Sequence, residues 1–521
     1  MFRAATRRTP EAVAIHYFDA APTYAELDQL SDAFAALLLE HGFVPGERVA
    51  IQLQNMPHFH IAMLGAWKAG GIVVPINVMN RERELALLLD DVEPHTLVML
   101  PERHPDLCAA LGEGAFRPRL LLGASPFDFQ TRNDARVLPN SLPRTAEDLP
   151  DLLGELGRHR GTALPLHSPA ADDLAYIVYT SGTSGVPKGA QILQRNVVAG
   201  VGLLRRAGNT PSGVRVLGMA PLFHVTGLTM QVNLCLCMSG SLILTYRFDP
   251  AVMVDAVREH SATHVSGAAT AYIAMMNVPG ASAADMASIS VAGSGGAPTP
   301  PALVSLAESF LGAPIQIGYG LTETFIASHR TPQGVPIPVD PASGALSIGP
   351  VTPGMTAWIE NDAGQPAAVG EPGEIVISGP TLANGYWHKP TESAEAFRAD
   401  GFRTGDIGIR DENGWYYIVD RKKDMISASG FKVWPREVED VLYAHPAVRE
   451  AAVVGVPDPY RGETVRAVVS LRSGVSALPD DLLAHCRTHL AAYKCPRELR
   501  FLDELPKTAS GKILRRELRD A

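Results

Sequence analysis

A short run of apolar, β-favouring residues at 174–179 opens directly onto Thr180-Ser181-Gly182-Thr183-Ser184-Gly185-Val186-Pro187-Lys188-Gly189-Ala190. The pattern predicts a buried strand feeding a loop. The loop combines the hydroxyls of Thr180, Ser181, Thr183 and Ser184 with three glycines and Lys188. Glycine lets a backbone approach an anion closely, hydroxyls and amide N–H groups donate to its oxygens, and the lysine adds positive charge. Such a loop suits a polyphosphate. It is not a P-loop, because no Gly-Lys-[Ser/Thr] ends it at the required spacing. Taken alone, the string also reads as a Ser/Gly-rich surface loop.

At 521 residues the chain exceeds what one core organises, so two or more domains are expected. Apolar content of 46% and charged content of 19% are those of a soluble globular protein. With 45 basic against 55 acidic residues the net charge is −10, which argues against a general nucleic-acid binder while leaving room for local basic pockets. Cys108, Cys235, Cys237, Cys486 and Cys495 lack zinc-site spacing and read as reduced, buried thiols, consistent with a cytoplasmic protein. Arg3, Arg7 and Arg8 are followed by Pro10 and Glu11 rather than an apolar stretch, so no secretory signal is read. Residues 227–246 are apolar but interrupted by Gln231, Asn233 and 239–241, which predicts a buried core element rather than a transmembrane segment.

Along the chain, residues 23–42 predict a helix capped by Thr23 with Glu26 three positions on, and stopped at Gly42. Strands are expected at 48–53, 72–76, 97–100 and 119–122, with a helix at 61–69 ended by Gly70-Gly71. This alternation indicates parallel β/α layering. Residues 127–170 read as an irregular connection. After residue 425 a separate α+β pattern begins, with helices at 437–443 and 480–490 and strands at 451–456 and 465–471.

Further motifs follow the loop in order. Pro221-Leu222-Phe223-His224 succeeds an apolar run, and Gly293-Ser294-Gly295-Gly296-Ala297-Pro298 is a glycine-rich string that carries no large side chain. Gly318-Tyr319-Gly320-Leu321-Thr322-Glu323 gathers an aromatic ring, a hydroxyl and a carboxylate. Thr404-Gly405-Asp406 comes next, then the charged run Asp420-Arg421-Lys422-Lys423-Asp424, and near the end Lys512 behind Ser510-Gly511. Singly these are a satisfied histidine, turns, a solvated face and a surface lysine. Together, and in this order, they resemble the adenylate-forming superfamily: acyl-CoA synthetases, firefly luciferase and the adenylation domains of peptide synthetases. The resemblance spans essentially the whole chain.

It implies an α/β fold: a large multi-subdomain N-terminal adenylation domain of layered α/β units at 1–422, and a small mobile α+β lid at 423–521 hinged near Lys423. The active site would lie in the cleft between them. By resemblance, Thr180, Ser181, Gly182, Thr183, Ser184, Gly185 and Lys188 hold the phosphates of ATP, while Gly295, Gly296, Ala297, Gly318, Tyr319 and Gly320 frame the adenine. Thr322 bonds the α-phosphate, Glu323 is the Mg²⁺ ligand, and Asp406 and Arg421 hold the ribose. His224 lines the acyl site, and Lys512 is the catalytic lysine that reaches the α-phosphate and the acyl carboxylate. Ser429 and Gly430 approach the pantetheine arm of CoA, with Lys432, Arg436, Arg461 and Lys494 as candidates for its phosphates.

The segment 221–228 carries no carboxylate to pair an α-ammonium, and a buried ammonium without a partner is costly, so a plain carboxylic acid is favoured over an amino acid. Residues 430–437 resemble bacterial fatty-acyl-CoA ligases, which implies a medium- or long-chain fatty acid. An aryl or other carboxylic acid, or transfer to a carrier protein instead of CoA, remain alternatives within enzymes. A non-catalytic nucleotide-binding protein is the alternative from another class; it predicts loss of Glu323 or Lys512, and both are present. The expected partners are the acid, ATP and CoA, with no nucleic acid and no transmembrane segment, and a homodimer is the assembly considered.

Overall fold

The computed structural model describes residues 1–521 apart from 113–114, 163–166, 181–186, 209–211, 298, 300, 342–343, 422–423, 425, 429–430, 459–461, 491, 509–512 and 520–521. Thr23 caps the helix Tyr24–Glu40 as expected, with Glu26 N donating to Thr23 Oγ1 (3.2 Å) and Thr23 N to Glu26 Oε2 (2.8 Å). That helix packs on Pro57–Lys68, which starts four residues before the apolar periodicity because Pro57 is suited to the first helical position. Gly65 sets the closeness of the pair: a Cβ there would stand 2.6 Å from the Phe34 ring.

Two sheets form the body of the large N-terminal domain. One has six strands in the order Leu120–Gly123, Thr96–Met99, Arg48–Gln52, Ile72–Pro75, Leu174–Thr180 and Lys188–Leu193. All neighbours in it are parallel except the last pair, which is an antiparallel hairpin. The other has seven strands in the order Ile15–Tyr17, Ser241–Leu244, Arg215–Leu217, His264–Gly267, Val291–Gly295, Ile315–Tyr319 and His329–Arg330, antiparallel only at its last pair. The predicted parallel layering is thus present in both. An antiparallel sheet follows, in which Gly401–Arg410 pairs with Gly373–Ser378 and with Tyr416–Arg421.

The described residues of 127–170, expected to be irregular, include the helix Leu152–His159. It is only eight residues long and buries Leu152 and Leu156, too few positions to register as a period, and Asp151 caps it through Gly154 N (2.7 Å). The apolar stretch around 227–246 is a buried core element, built from the helical segments Val225–Gly227, Leu228–Asn233 (a π-helical turn) and Leu234–Met238 and the strand Ser241–Leu244. Among the described residues no helix is long and apolar enough to cross a membrane. Among the described residues no cysteine forms a disulfide, and the five are not all buried: Cys108 is exposed, because Leu107 and Ala110 take the inner face of the helix His104–Ala110.

The smaller C-terminal domain has its own sheet, with Val448–Asp458 and Gly462–Leu471 as its long antiparallel pair. Helices Pro435–Tyr443 and Pro479–His489 lie over it, around Ile426, Val433, Val438, Leu442, Val453 and Leu482. This apolar cluster is separate from those of the N-terminal sheets, as an independently folding unit requires.

Candidate active site

The strand Leu174–Thr180 and its antiparallel partner Lys188–Leu193 hold the two ends of the glycine-rich loop together: Thr180 is in register with Lys188, and Thr180 Oγ1 donates to Lys188 O at 3.4 Å. Gly189 is required just beyond, since a Cβ would meet Ile177 Cγ2 at 2.6 Å. Ser181, Gly182, Thr183, Ser184 and Gly185 lie outside the described residues. The outer edge of the hairpin is covered by residues 384–387, with Trp387 N donating to Gly189 O (2.7 Å) and Asn384 N to Gln191 O (2.8 Å). That pairing brings the Tyr386 ring to 5.2 Å from Lys188 Nζ.

Tyr386 joins the loop to Glu323. Its hydroxyl donates to Glu323 Oε1 at 2.7 Å, and Ala383 N donates to Glu323 O at 2.8 Å. Glu323 sits in the short 3₁₀ turn Thr322–Thr324 and is 8% exposed. Burial pushes its carboxyl above the ordinary carboxylate value; the Tyr386 hydrogen bond and the charge of Lys188 pull it down, and Asp406 pushes it up. Lys188, Glu323 and Asp406 therefore share one electrostatic environment. The next residue but one, Phe325, holds φ at 59°, a left-handed conformation that a bulky side chain adopts only under strain. Gly320 permits the tight return, since a Cβ there would stand 2.4 Å from Ile326 O.

The adenine-slot candidates meet across a strand pair. Val291–Gly295 runs parallel to Ile315–Tyr319 with Gly295 opposite Gly318, and a Cβ on Gly295 would stand 2.6 Å from Gly318 O. Gly296 follows with φ at 77°, which leads the chain through Ala297 away from the sheet. Tyr319 reaches the other way: its hydroxyl donates to Asp406 Oδ2 at 2.7 Å, both side chains being buried. Asp406 is also in register with Arg421 of the neighbouring strand; the Arg421 side chain lies outside the described ones. His329 fills the space behind Tyr319, 5.7 Å from its ring and 4.5 Å from that of Tyr416, and burial lowers its pKa to about 3, so it is neutral.

His224 begins the helical segment 225–238, where its Nδ1 accepts from Thr226 N at 3.2 Å. Gly227 allows the segment to pass Pro221, whose carbonyl oxygen a Cβ would meet at 2.1 Å. Thr322 opens the Glu323 turn and accepts from Phe325 N through its carbonyl (3.1 Å). Ser429, Gly430, Lys423, Arg461 and Lys512 lie outside the described residues. Lys494, expected near CoA phosphates, is paired with Glu437 (2.5 Å), and Arg436 is buried with Asp440 at 3.6 Å, so both are engaged within their own domain.

Tyr386 was missed in the sequence. The available signal was an aromatic pair, Tyr386-Trp387, in a loop framed by Gly379-Pro380 and Pro390. Loops that carry large aromatics between turn residues commonly cover a site.

The family model of the AMP-binding enzymes matches residues 2–387, and the model of the AMP-binding enzyme C-terminal domain matches residues 437–512. A long-chain-fatty-acid–CoA ligase of Bacillus subtilis is 35% identical over 98% of this chain and 92% of its own length. A feruloyl-CoA synthase of Amycolatopsis is 36% identical over 98% of this chain and 96% of its own. Among solved structures, ATP-bound MatB from Rhodopseudomonas palustris superposes with a TM-score of 0.86 at 28% identity, covering 100% of this chain and 98% of that one. The chain belongs to the AMP-binding enzymes, on their acyl-CoA synthetase branch.

Proposed function

We propose that this AMP-forming acid–thiol ligase activates a carboxylic acid with an apolar body, a medium- or long-chain fatty acid being the first reading, and transfers it to CoA. The convergence of Lys188, Glu323 and Asp406 on one site carries the proposal. The 35% identity to a long-chain-fatty-acid–CoA ligase supports the acid class. In the first half-reaction a carboxylate oxygen attacks the α-phosphorus of ATP, the bond to the β-phosphate oxygen breaks, and pyrophosphate leaves from an acyl-adenylate. Three anionic groups must meet, so positioning and charge neutralisation dominate the barrier.

Thr180, Ser181, Gly182, Thr183, Ser184, Gly185 and Lys188 would hold the leaving phosphates, and Thr322 the α-phosphate. The glycines at 295, 296, 318 and 320, with Ala297 and Tyr319, would frame the base. Tyr319 also orients the Asp406 carboxylate for the ribose, beside Arg421. Glu323 fits Mg²⁺: it is a hard oxygen donor steadied by Tyr386. Among the described residues no group of three or more His, Cys, Asp or Glu could hold an ion unaided, so the ion would share Glu323 with phosphate oxygens, as Mg²⁺ prefers. Bound there, it would neutralise charge on those oxygens. Lys512 would reach the α-phosphate and the acyl carboxylate, and His224 would line the acyl site.

In the second half-reaction the CoA thiolate attacks the acyl carbon and AMP leaves. Residues 423–521 would turn on Lys423 relative to 1–422, exchanging Lys512 for Ser429 and Gly430 beside the pantetheine arm. A homodimer in the cytoplasm completes the reading. An aryl acid is the second reading, favoured by the 36% identity to a feruloyl-CoA synthase. The test is ATP and Mg²⁺ with a panel of alkyl and aryl acids, with and without CoA, reading AMP and acyl-CoA by mass. Acid-dependent AMP with acyl-CoA as product is expected. AMP formation without any CoA thioester would refute transfer to CoA.

A further inference from the structure

Below the adenine slot lies a cavity with an apolar wall of Leu204, Met230 and Leu234 and a polar floor of His264, Ser266 and Arg330. Its borders continue the site segments already described. Met230 and Leu234 belong to the helical segment that His224 begins, and the floor strands run parallel up to Gly295. His264 and Ser266 are two apart on one strand and so share its face. Gly293 lies between Ser266 and Gln316 in register, and its missing side chain leaves the space over the floor open: a Cβ would stand 3.2 Å from Ser266 Oγ. Arg330 reaches over the same face and donates to Gln316 Oε1.

The floor carries one buried polar atom without a partner among the described residues, beside a cation. Thr263 Oγ1 accepts from Arg215 N (3.0 Å) and has one proton for two acceptors, Arg215 O at 3.1 Å and His264 Nδ1 at 2.9 Å. With that proton directed at Arg215 O, Nδ1 carries the ring hydrogen and Nε2 accepts; with it directed at Nδ1, Nε2 donates. Nε2 is buried, has no partner among the described residues, and belongs to a side chain only 6% exposed. Burial and the charge of Arg330 lower the ring's pKa to about 4, which keeps it neutral. Arg330 itself is a cation whose ordinary proton affinity burial reduces, with no carboxylate among the described residues offsetting that cost. A buried ring nitrogen without a partner among the described residues and a guanidinium bonded to Gln316 thus line one cavity, and leaving the nitrogen unmatched is costly.

Resting on the acid-activating reading above, we propose that this cavity is the far end of the acid pocket and takes the hydroxyl of a hydroxylated carboxylic acid. The substrate hydroxyl pairs with His264 Nε2, as donor or acceptor to suit the ring's tautomer, and its oxygen accepts from Arg330. A second carboxylate would suit Arg330 but meets Nε2 only in the tautomer that donates, whereas a hydroxyl meets it in both, and a methyl terminus would leave Nε2 unpaired. The floor lies two to four residues down the strand from Gly295, about 7–13 Å at ~3.3 Å per residue. That depth suits a para-hydroxylated aryl acid or an ω-hydroxylated acid of medium length.

The test is competition in single mixtures: 4-hydroxycinnamate with cinnamate, and 8-hydroxyoctanoate with octanoate and suberate, reading acyl-CoA ratios by mass. Product ratios do not depend on how much enzyme is folded. A preference of about 10–100-fold for the hydroxylated acid in at least one mixture is expected, falling towards one in Arg330→Met and in His264→Phe. The two mixtures separate the aryl from the aliphatic source of the hydroxyl. Equal or better use of the plain acids, preference for suberate, or a ratio that neither substitution moves would overturn the inference while leaving acid activation standing. If no acid in a wide panel yields AMP, acid activation itself fails, and this inference with it.

Discussion

Tyr386→Phe isolates one interaction in the nucleotide site. The substitution keeps the ring beneath Lys188 and against Phe397 and removes only the hydroxyl that donates to Glu323 at 2.7 Å. A hydrogen bond to a charged group contributes about 1.5–3 kcal/mol. At about 1.36 kcal/mol per pKa unit, that bounds the effect on Glu323 at roughly 1–2 units. Lys188 remains to favour the ionised form, so the lower end, about one unit upward, is the expected shift. Glu323 must be ionised to attract Mg²⁺, so activity is lost as pH falls through its pKa. The acid limb of ATP–pyrophosphate exchange, measured from pH 5.5 to 9 with a saturating acid substrate, should therefore move up by about one pH unit, and half-saturation by Mg²⁺ should require more metal. Superimposable pH profiles and Mg²⁺ titrations for Tyr386→Phe and the parent would refute the reasoning.

Glu323→Gln should stabilise the unliganded protein while abolishing Mg²⁺-dependent exchange. The folded-state pKa of Glu323 lies above its ordinary value of 4.5, so the native state binds that proton more tightly, and stability is full below 4.5 and declines as pH rises through the folded value. The variant should accordingly melt about 1–2 °C higher than the parent at pH 7.5, with the difference vanishing below about pH 4. Lys423→Pro should spare acyl-adenylate formation and block thioester formation, since a pivot must change backbone angles that proline fixes; equal loss of both half-reactions counts against a hinge there. Gly295→Ala should cost stability by about 1–3 kcal/mol and raise the KM for ATP, because the new methyl meets Gly318 O at 2.6 Å; an unchanged melting curve and KM would show that the strand pair opens freely.

Much of this was legible in the residues because the nucleotide-site motifs are short and local. The strand at 174–179 with its glycine-rich loop, the Thr23–Glu26 cap and the glycine-bearing motifs at 293–298 and 318–323 each declare themselves within a few positions, whereas the hairpin closing the loop and the pairing of Gly295 with Gly318 do not. What stayed hidden depends on contacts across the chain. Tyr386 reaches Glu323 from 63 positions away, and no periodicity near residue 386 announces it. The assignment of Lys494 and Arg436 to CoA phosphates rested on charge alone, and their ion pairs with Glu437 and Asp440 could be seen only once the helix Pro435–Tyr443 was folded. The helix at Leu152–His159 was missed because two buried leucines cannot define a period. That His264 Nε2 is buried without a partner among the described residues is a fact of packing rather than of composition.

The measurement closest to the central claim is acid-dependent exchange of labelled pyrophosphate into ATP without CoA, for the parent chain and for Lys512→Ala. Exchange that requires both Mg²⁺ and a carboxylic acid, and that falls by about 10²–10³ in Lys512→Ala, is the predicted result. Exchange that proceeds without any acid, or at the parent rate in Lys512→Ala, would contradict it.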